Sequence, residues 1–214
     1  MNAAAPAPRA VVFDLGGVLL HWQPRALLAE LMPSLAGDAA AIEALFESVF
    51  QGFRPGGDWA EFDRGTVEPS ALVARIAARS GLDARWLQRL VDAVPHHLVA
   101  QQATVALIER LHARDVPLYY LSNMPAPYAD DIERRQPFFR CFRGGVFSSR
   151  LRAIKPEPQI FRHAESIFGH APNDLLFIDD HAGNVDMART LGWQALHFRG
   201  AAQCEAELRA LGLI

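Results

Sequence analysis

Three aspartates, a serine, an asparagine and a lysine stand at or near the ends of short apolar runs in this sequence, where reactive side chains gather in parallel sheets. The first run is Val11-Val12-Phe13, followed by Asp14, Leu15, Gly16 and Gly17. A carboxylate at the carboxyl end of a buried strand is a place for a nucleophile or a metal ligand. The two glycines let the backbone turn tightly and approach a ligand closely. Leu118-Tyr119-Tyr120-Leu121 ends in Ser122 and Asn123, a hydroxyl and an amide that can each bind a phosphoryl oxygen. A helix N-cap would use Ser122 equally well.

Phe177-Ile178 leads into Asp179 and Asp180. Adjacent acids in an apolar setting repel unless a proton or cation lies between them, and hard divalent ions such as magnesium prefer oxygen ligands. Asn184 can steady such a group from behind. Lys155 precedes Pro156, which restricts the lysine backbone to extended conformations and so presents its side chain from a stiff loop toward the strand ends.

The elements that would position these residues follow from hydrophobic periodicity. From about Pro24 to Val99 the apolar residues recur at helical spacing, as in Ala41-Ile42, Leu45-Phe46 and Val49-Phe50, with further helical stretches at 72–78 and 86–94. After Ala103 helices alternate with buried strands at 117–121, 145–147, 175–178 and 195–198. That alternation predicts an α/β chain with a parallel sheet covered on both faces, and the all-helical block reads as an insertion after the first strand.

With 214 residues, half of them hydrophobic, the chain can bury a full core. Its 21 basic and 24 acidic residues are interspersed, which predicts neither a nucleic-acid nor an anionic-membrane surface. No run approaches the roughly 18 apolar residues of a membrane span. Cys141 and Cys204 lie far apart without metal-ligand spacing, which fits a reducing, cytoplasmic setting. Met1 to Arg9, rich in alanine and proline, reads as a short flexible lead-in without the features of a secretory signal.

The order Asp14, Ser122, Lys155, Asp179-Asp180 resembles the four motifs of the haloacid dehalogenase (HAD) superfamily, and the helical insertion looks like its C1 cap. The resemblance spans nearly the whole chain. It implies a three-layer, Rossmann-like core formed by residues 1–21 and 100–214, and an all-helical cap of residues 22–99. It also implies a magnesium-dependent phosphatase working through an aspartyl-phosphate on a small phosphorylated metabolite, as a monomer or homodimer. On that reading Asp14 is nucleophile and Mg2+ ligand, the Gly16 carbonyl is another ligand, and Asp179 with Asp180 completes the metal site. Ser122 and Lys155 hold the phosphoryl group, with Gly17 and Asn123 beside it. A carboxylate attacking a charged phosphoryl group needs such cations and donors to offset repulsion.

Gly16 departs from the pattern, because HAD phosphatases usually carry there a second Asp that protonates the leaving oxygen and later activates water. Losing acid-base help slows an ordinary ester by about 10²–10⁴-fold unless another group substitutes. His21, His96 and His97 are the candidates offered by the sequence. The Asp-Leu-Gly-X-Val form with an Asp-Asp pair resembles the α-D-glucose-1-phosphate phosphatase group, which implies a sugar 1-phosphate, whose anomeric oxygen leaves with less protonation. In the cap, Trp59 to Thr66 reads as a polar and aromatic turn able to reach the active site, with Arg64 as a possible substrate donor. Trp22, Trp59 and Phe62 read as cap packing. Two alternatives remain: a 2-haloacid dehalogenase, which uses the same nucleophile without magnesium, and a non-catalytic member that binds a phosphorylated ligand or a protein.

Overall fold

Ala10–Phe13 has no exposed residue, and a strand buried on both faces belongs in the middle of a sheet. The computed structural model, which describes residues 7–214, puts it there. This strand, β1, is followed by five helices: α1 (Pro24–Leu31), α2 (Ala39–Phe50), α3 (Asp58–Asp63), α4 (Pro69–Ser80) and α5 (Ala84–His97). The alternating part then runs α6 (Gln102–His112), β2 (Leu118–Ser122), α7 (Ala126–Arg135), β3 (Gly144–Phe147), α8 (Ser148–Leu151), α9 (Pro158–Phe168), β4 (Leu175–Asp179), α10 (Ala182–Thr190), β5 (Gln194–His197) and α11 (Ala201–Ala210). The expected lead-in lies, for residues 1–6, outside the described residues.

All strand pairs are parallel and the order is β3-β2-β1-β4-β5. The chain builds outward from β1 to one side and then returns to β1 to build the other. Such a reversal opens a crevice at the carboxyl ends of the strands, where β1 and β4 finish on Asp14 and Asp179. Side chains alternate between the faces: Val11, Phe13, Leu118 and Tyr120 pack with α6, α7 and α11, and Val12, Tyr119 and Phe177 pack with α9 and α10. The result is the α/β parallel-sheet architecture with an inserted helical region.

The apolar face containing Phe13 continues without a break into the inserted helices, through Leu27, Phe50, Phe62, Leu72 and Leu90. The two chain crossings into that region lie side by side, with His21 N donating to Val99 O and Gln101 N to Leu19 O, both at 2.8 Å. Three elements differ from the sequence expectation. Residues 58–63 form a six-residue helix where a turn was expected, and α8 and α11 were not anticipated. Both cysteines are buried and unpaired. Among the described residues no helix is long and apolar enough to cross a membrane.

Candidate active site

Parallel pairing of β1 with β4 and with β2 brings the strand ends to one level, so Asp14, Ser122 and Asp180 border a single cavity. Its volume is about 790 Å³. Lys155 reaches the same point from the loop before α9. Its Nζ lies 2.9 Å from Asp14 Oδ1 and 2.6 Å from Asp179 Oδ2, with all three side chains nearly or wholly buried. Asp14 Oδ1 also accepts the Leu15 N–H at 2.7 Å. Those two donors fix the carboxylate and leave Oδ2 without a hydrogen-bond donor among the described residues.

Asp179 is tied on both oxygens. Oδ1 accepts from His181 N at 2.7 Å, and Asn184 Nδ2 approaches both oxygens at 3.0–3.1 Å. Asp180 accepts no side-chain donor among the described residues and turns its carboxylate toward Gly17. Oxygens of Asp14, Asp179 and Asp180 lie within 4.8 Å of one another, a set of hard donors of the kind that holds magnesium. Burial, opposed by Lys155 and reinforced by Asp179 and Asp180, pushes the Asp14 carboxyl up to about 7. Burial and Asp179 raise Asp180 as well. One ammonium does not compensate this much negative charge.

Gly17 has φ +76°, and a Cβ built there would collide with the Asp180 carboxylate. Gly17 therefore shapes the acid cluster through its missing side chain and does not line the cavity. We expect Gly17→Ala to displace Asp180 and weaken magnesium binding by about 10–100-fold, measured by titration calorimetry. Unchanged affinity would show that Asp180 does not depend on this close approach.

Two other expected site residues spend their polar groups on the protein itself. Asn123 spends its amide on Lys155, with Nδ2 donating to Lys155 O at 3.0 Å and Oδ1 accepting Lys155 N at 2.8 Å. Asn123 thus lines the cavity while its amide holds the loop that presents Lys155. Arg64 does not line the cavity: its guanidinium makes paired bonds to Glu157 at 2.6 and 2.8 Å and a third to Glu61 at 3.1 Å. It joins the helical region to the start of α9. Ser122, by contrast, borders the cavity and its hydroxyl has no hydrogen bond among the described residues.

None of His21, His96 and His97 lines the cavity, and His97 faces Glu30 on α1 at 3.4 Å. The residue missed by the sequence reading is Asp63, at the end of α3, which borders the cavity with Asp14. Trp59 and Phe62 are buried in the aromatic packing of the helices, and half-buried Trp22 stands beside Gly16 in the cavity wall. Phe46, Phe53, Leu98 and Tyr128 extend that apolar wall.

A family model described as haloacid dehalogenase-like hydrolase matches residues 8–192. The sesquiterpene phosphatase astK of Aspergillus oryzae is 24% identical over 204 residues, covering 95% of this chain and 96% of that protein. Among solved structures, a predicted HAD-like family hydrolase from Porphyromonas gingivalis is 26% identical with a TM-score of 0.71, covering 96% of this chain and 98% of that one. The HAD family enzyme bt-2542 of Bacteroides thetaiotaomicron, solved with magnesium and inorganic phosphate, is 22% identical with a TM-score of 0.65, covering 88% and 93% of the two chains.

Proposed function

The chain belongs to the haloacid dehalogenase-like hydrolase family, and from that membership we propose that it is a magnesium-dependent phosphatase acting on a small phosphate monoester through an aspartyl-phosphate. The observation that carries this reading is the cluster Asp14, Asp179 and Asp180 around Lys155. Three carboxylates against one ammonium leave two negative charges, the deficit that a divalent cation fills. A haloacid dehalogenase working without metal has no use for that surplus.

Magnesium held by Asp14, Asp180 and the Gly16 carbonyl would neutralise the carboxylates and the phosphoryl oxygens. Asp14 Oδ2 attacks phosphorus, since Oδ1 is held by Leu15 N and Lys155. The Lys155 ammonium and the Ser122 hydroxyl bind the phosphoryl oxygens as charge moves across them. Asp179, fixed by Asn184 and His181 N, orients Lys155. The paired crossings at residues 19–21 and 99–101 support a division into a catalytic body, 1–21 with 100–214, and a helical cap, 22–99.

For the alcohol there are two readings. The Asp-Leu-Gly-Gly-Val motif with its Asp-Asp pair supports a sugar 1-phosphate. The cavity wall supports an apolar alcohol, because Trp22, Phe46, Phe53, Leu98 and Tyr128 offer continuous surface for hydrocarbon, although Arg25, Glu47, Arg54 and His181 line the same cavity and could meet hydroxyls. The relative that acts as a sesquiterpene phosphatase supports the second reading, and we adopt it.

A panel of farnesyl phosphate, n-decyl phosphate, glucose 1-phosphate and glucose 6-phosphate, run with magnesium and with EDTA, tests both. We expect turnover only with magnesium and a higher kcat/KM on the two apolar esters. Preference for glucose 1-phosphate restores the sugar reading. Chloride released from a 2-haloalkanoate in EDTA sinks the phosphatase, as does magnesium-dependent phosphate-analogue binding without turnover of any ester.

A further inference from the structure

Gly16 leaves the nucleophile loop without an acid, although the backbone does not demand glycine there. Its φ lies outside the left-handed region, and a Cβ would make only ordinary contact with Trp22 at 3.7 Å. The loop has room for a carboxyl that the sequence does not supply. A carboxyl does stand across the cavity, on the helical region.

We propose that Asp63 supplies the acid and base missing at Gly16, protonating the departing alcohol and then deprotonating the water that releases phosphate. This rests on the phosphatase reading above. Asp63 borders the same cavity as Asp14, Ser122, Lys155 and Asp180. Its carboxyl has no hydrogen-bond or ion-pair partner among the described residues, and it lies outside the three-acid cluster.

Its backbone, in contrast, is firmly held. Asp63 O accepts from the Ser148 hydroxyl at the start of α8. Gly65, at φ +77°, sits so close to Ser149 that a Cβ would come within 2.7 Å of its carbonyl. Arg64, between them, clamps Glu157. Three consecutive residues thus bind the end of α3 to the catalytic body, and a carboxyl aimed at a reacting atom needs that kind of fixed support. Burial, reinforced by the charge of Asp14, pushes the Asp63 carboxyl up to about 8, so near neutral pH it carries the proton it would donate.

The step balances. Asp14 Oδ2 forms a bond to phosphorus, the bond from phosphorus to the alcohol oxygen breaks, and its electron pair takes the Asp63 proton. Water then attacks phosphorus while Asp63 removes its proton, the Asp14–phosphorus bond breaks, and both residues return to their starting forms.

The test compares n-decyl phosphate, whose alkoxide must be protonated, with p-nitrophenyl phosphate, whose leaving group hardly needs it, in magnesium-loaded wild type and Asp63→Asn. For the decyl ester kcat/KM should fall by about 10²–10⁴-fold, and for the nitrophenyl ester by less than about tenfold, because this ratio stops at alcohol release. Acid-quenched Asp63→Asn should also hold more phosphoenzyme from the nitrophenyl ester than wild type, a result that a misfolded variant cannot give. Adding Gly16→Asp to Asp63→Asn should restore at least tenfold on the decyl ester. Equal losses on both esters, no loss, or a folded double variant without recovery overturns the assignment of Asp63 while leaving the phosphatase reading intact. A wild type that turns over neither ester removes both.

Discussion

Asp14→Asn should abolish turnover of every phosphate ester, by about 10⁴–10⁶-fold in kcat, the scale seen when a covalent nucleophile is lost. The substitution is isosteric, so the Asn carbonyl can keep the Leu15 N–H while the amide nitrogen replaces Oδ2. That nitrogen is neutral and non-nucleophilic. The same change should make the metal-free protein more stable near pH 8. Asp14 is held up to about 7, well above an exposed aspartate, so its ionisation in the folded state costs stability as pH rises from the ordinary aspartate range through 7. Asparagine does not ionise, and Lys155 keeps Asp179 as partner. The gain over wild type in melting temperature should therefore be largest near pH 8 and vanish near pH 4. Phosphoenzyme trapped by acid quench in wild type and absent in Asp14→Asn would complete the case. Retained activity in the variant would remove the nucleophile assignment.

This opposition between stability and chemistry explains which parts of the site could be read from sequence. Asp14, Ser122, Asp179 and Asp180 announce themselves because each interrupts an apolar run at its end, and parallel pairing must then bring those ends together. Lys155 was legible through its place in the motif order. Asn123 looked the same as Ser122 in sequence and both border the cavity, yet the Asn123 amide is spent on the Lys155 backbone, a difference set by the path of the loop after β2. Asp179 and Asp180 are likewise adjacent letters with separate surroundings. Asp63 and Arg64 were harder still. In sequence they are a charged pair in an interhelical turn, and only the packing of α3 against α8 and α9 sends Asp63 to the cavity and Arg64 to Glu157. The helices α8, of four residues, and α11, of weak amphipathic pattern, carry too little periodicity to be seen.

Lys155→Met should be the most destabilising single change in the site. Burial acts against the lysine charge, but Asp14 and Asp179 more than offset it and raise its pKa, so the ammonium is present throughout the working range. Methionine fills similar space and removes the charge, leaving Asp14 and Asp179 buried together without a cation. Removing one partner of a buried pair costs about 3–5 kcal/mol. The cost should depend on pH in a defined direction. Lys155 lowers the Asp14 pKa, so its loss lets Asp14 rise further, and at pH 5.5 that carboxyl takes up a proton and its repulsion of Asp179 ends. Urea unfolding should accordingly show a larger difference from wild type at pH 8 than at pH 5.5. Magnesium provides the second arm. If the acids form a cation site, the ion should stabilise Lys155→Met more than wild type, because it replaces charge that only the variant lacks. A pH-independent loss, insensitive to magnesium, would mean that Lys155 contributes packing alone, and the charge deficit at the centre of the phosphatase reading would lose its support.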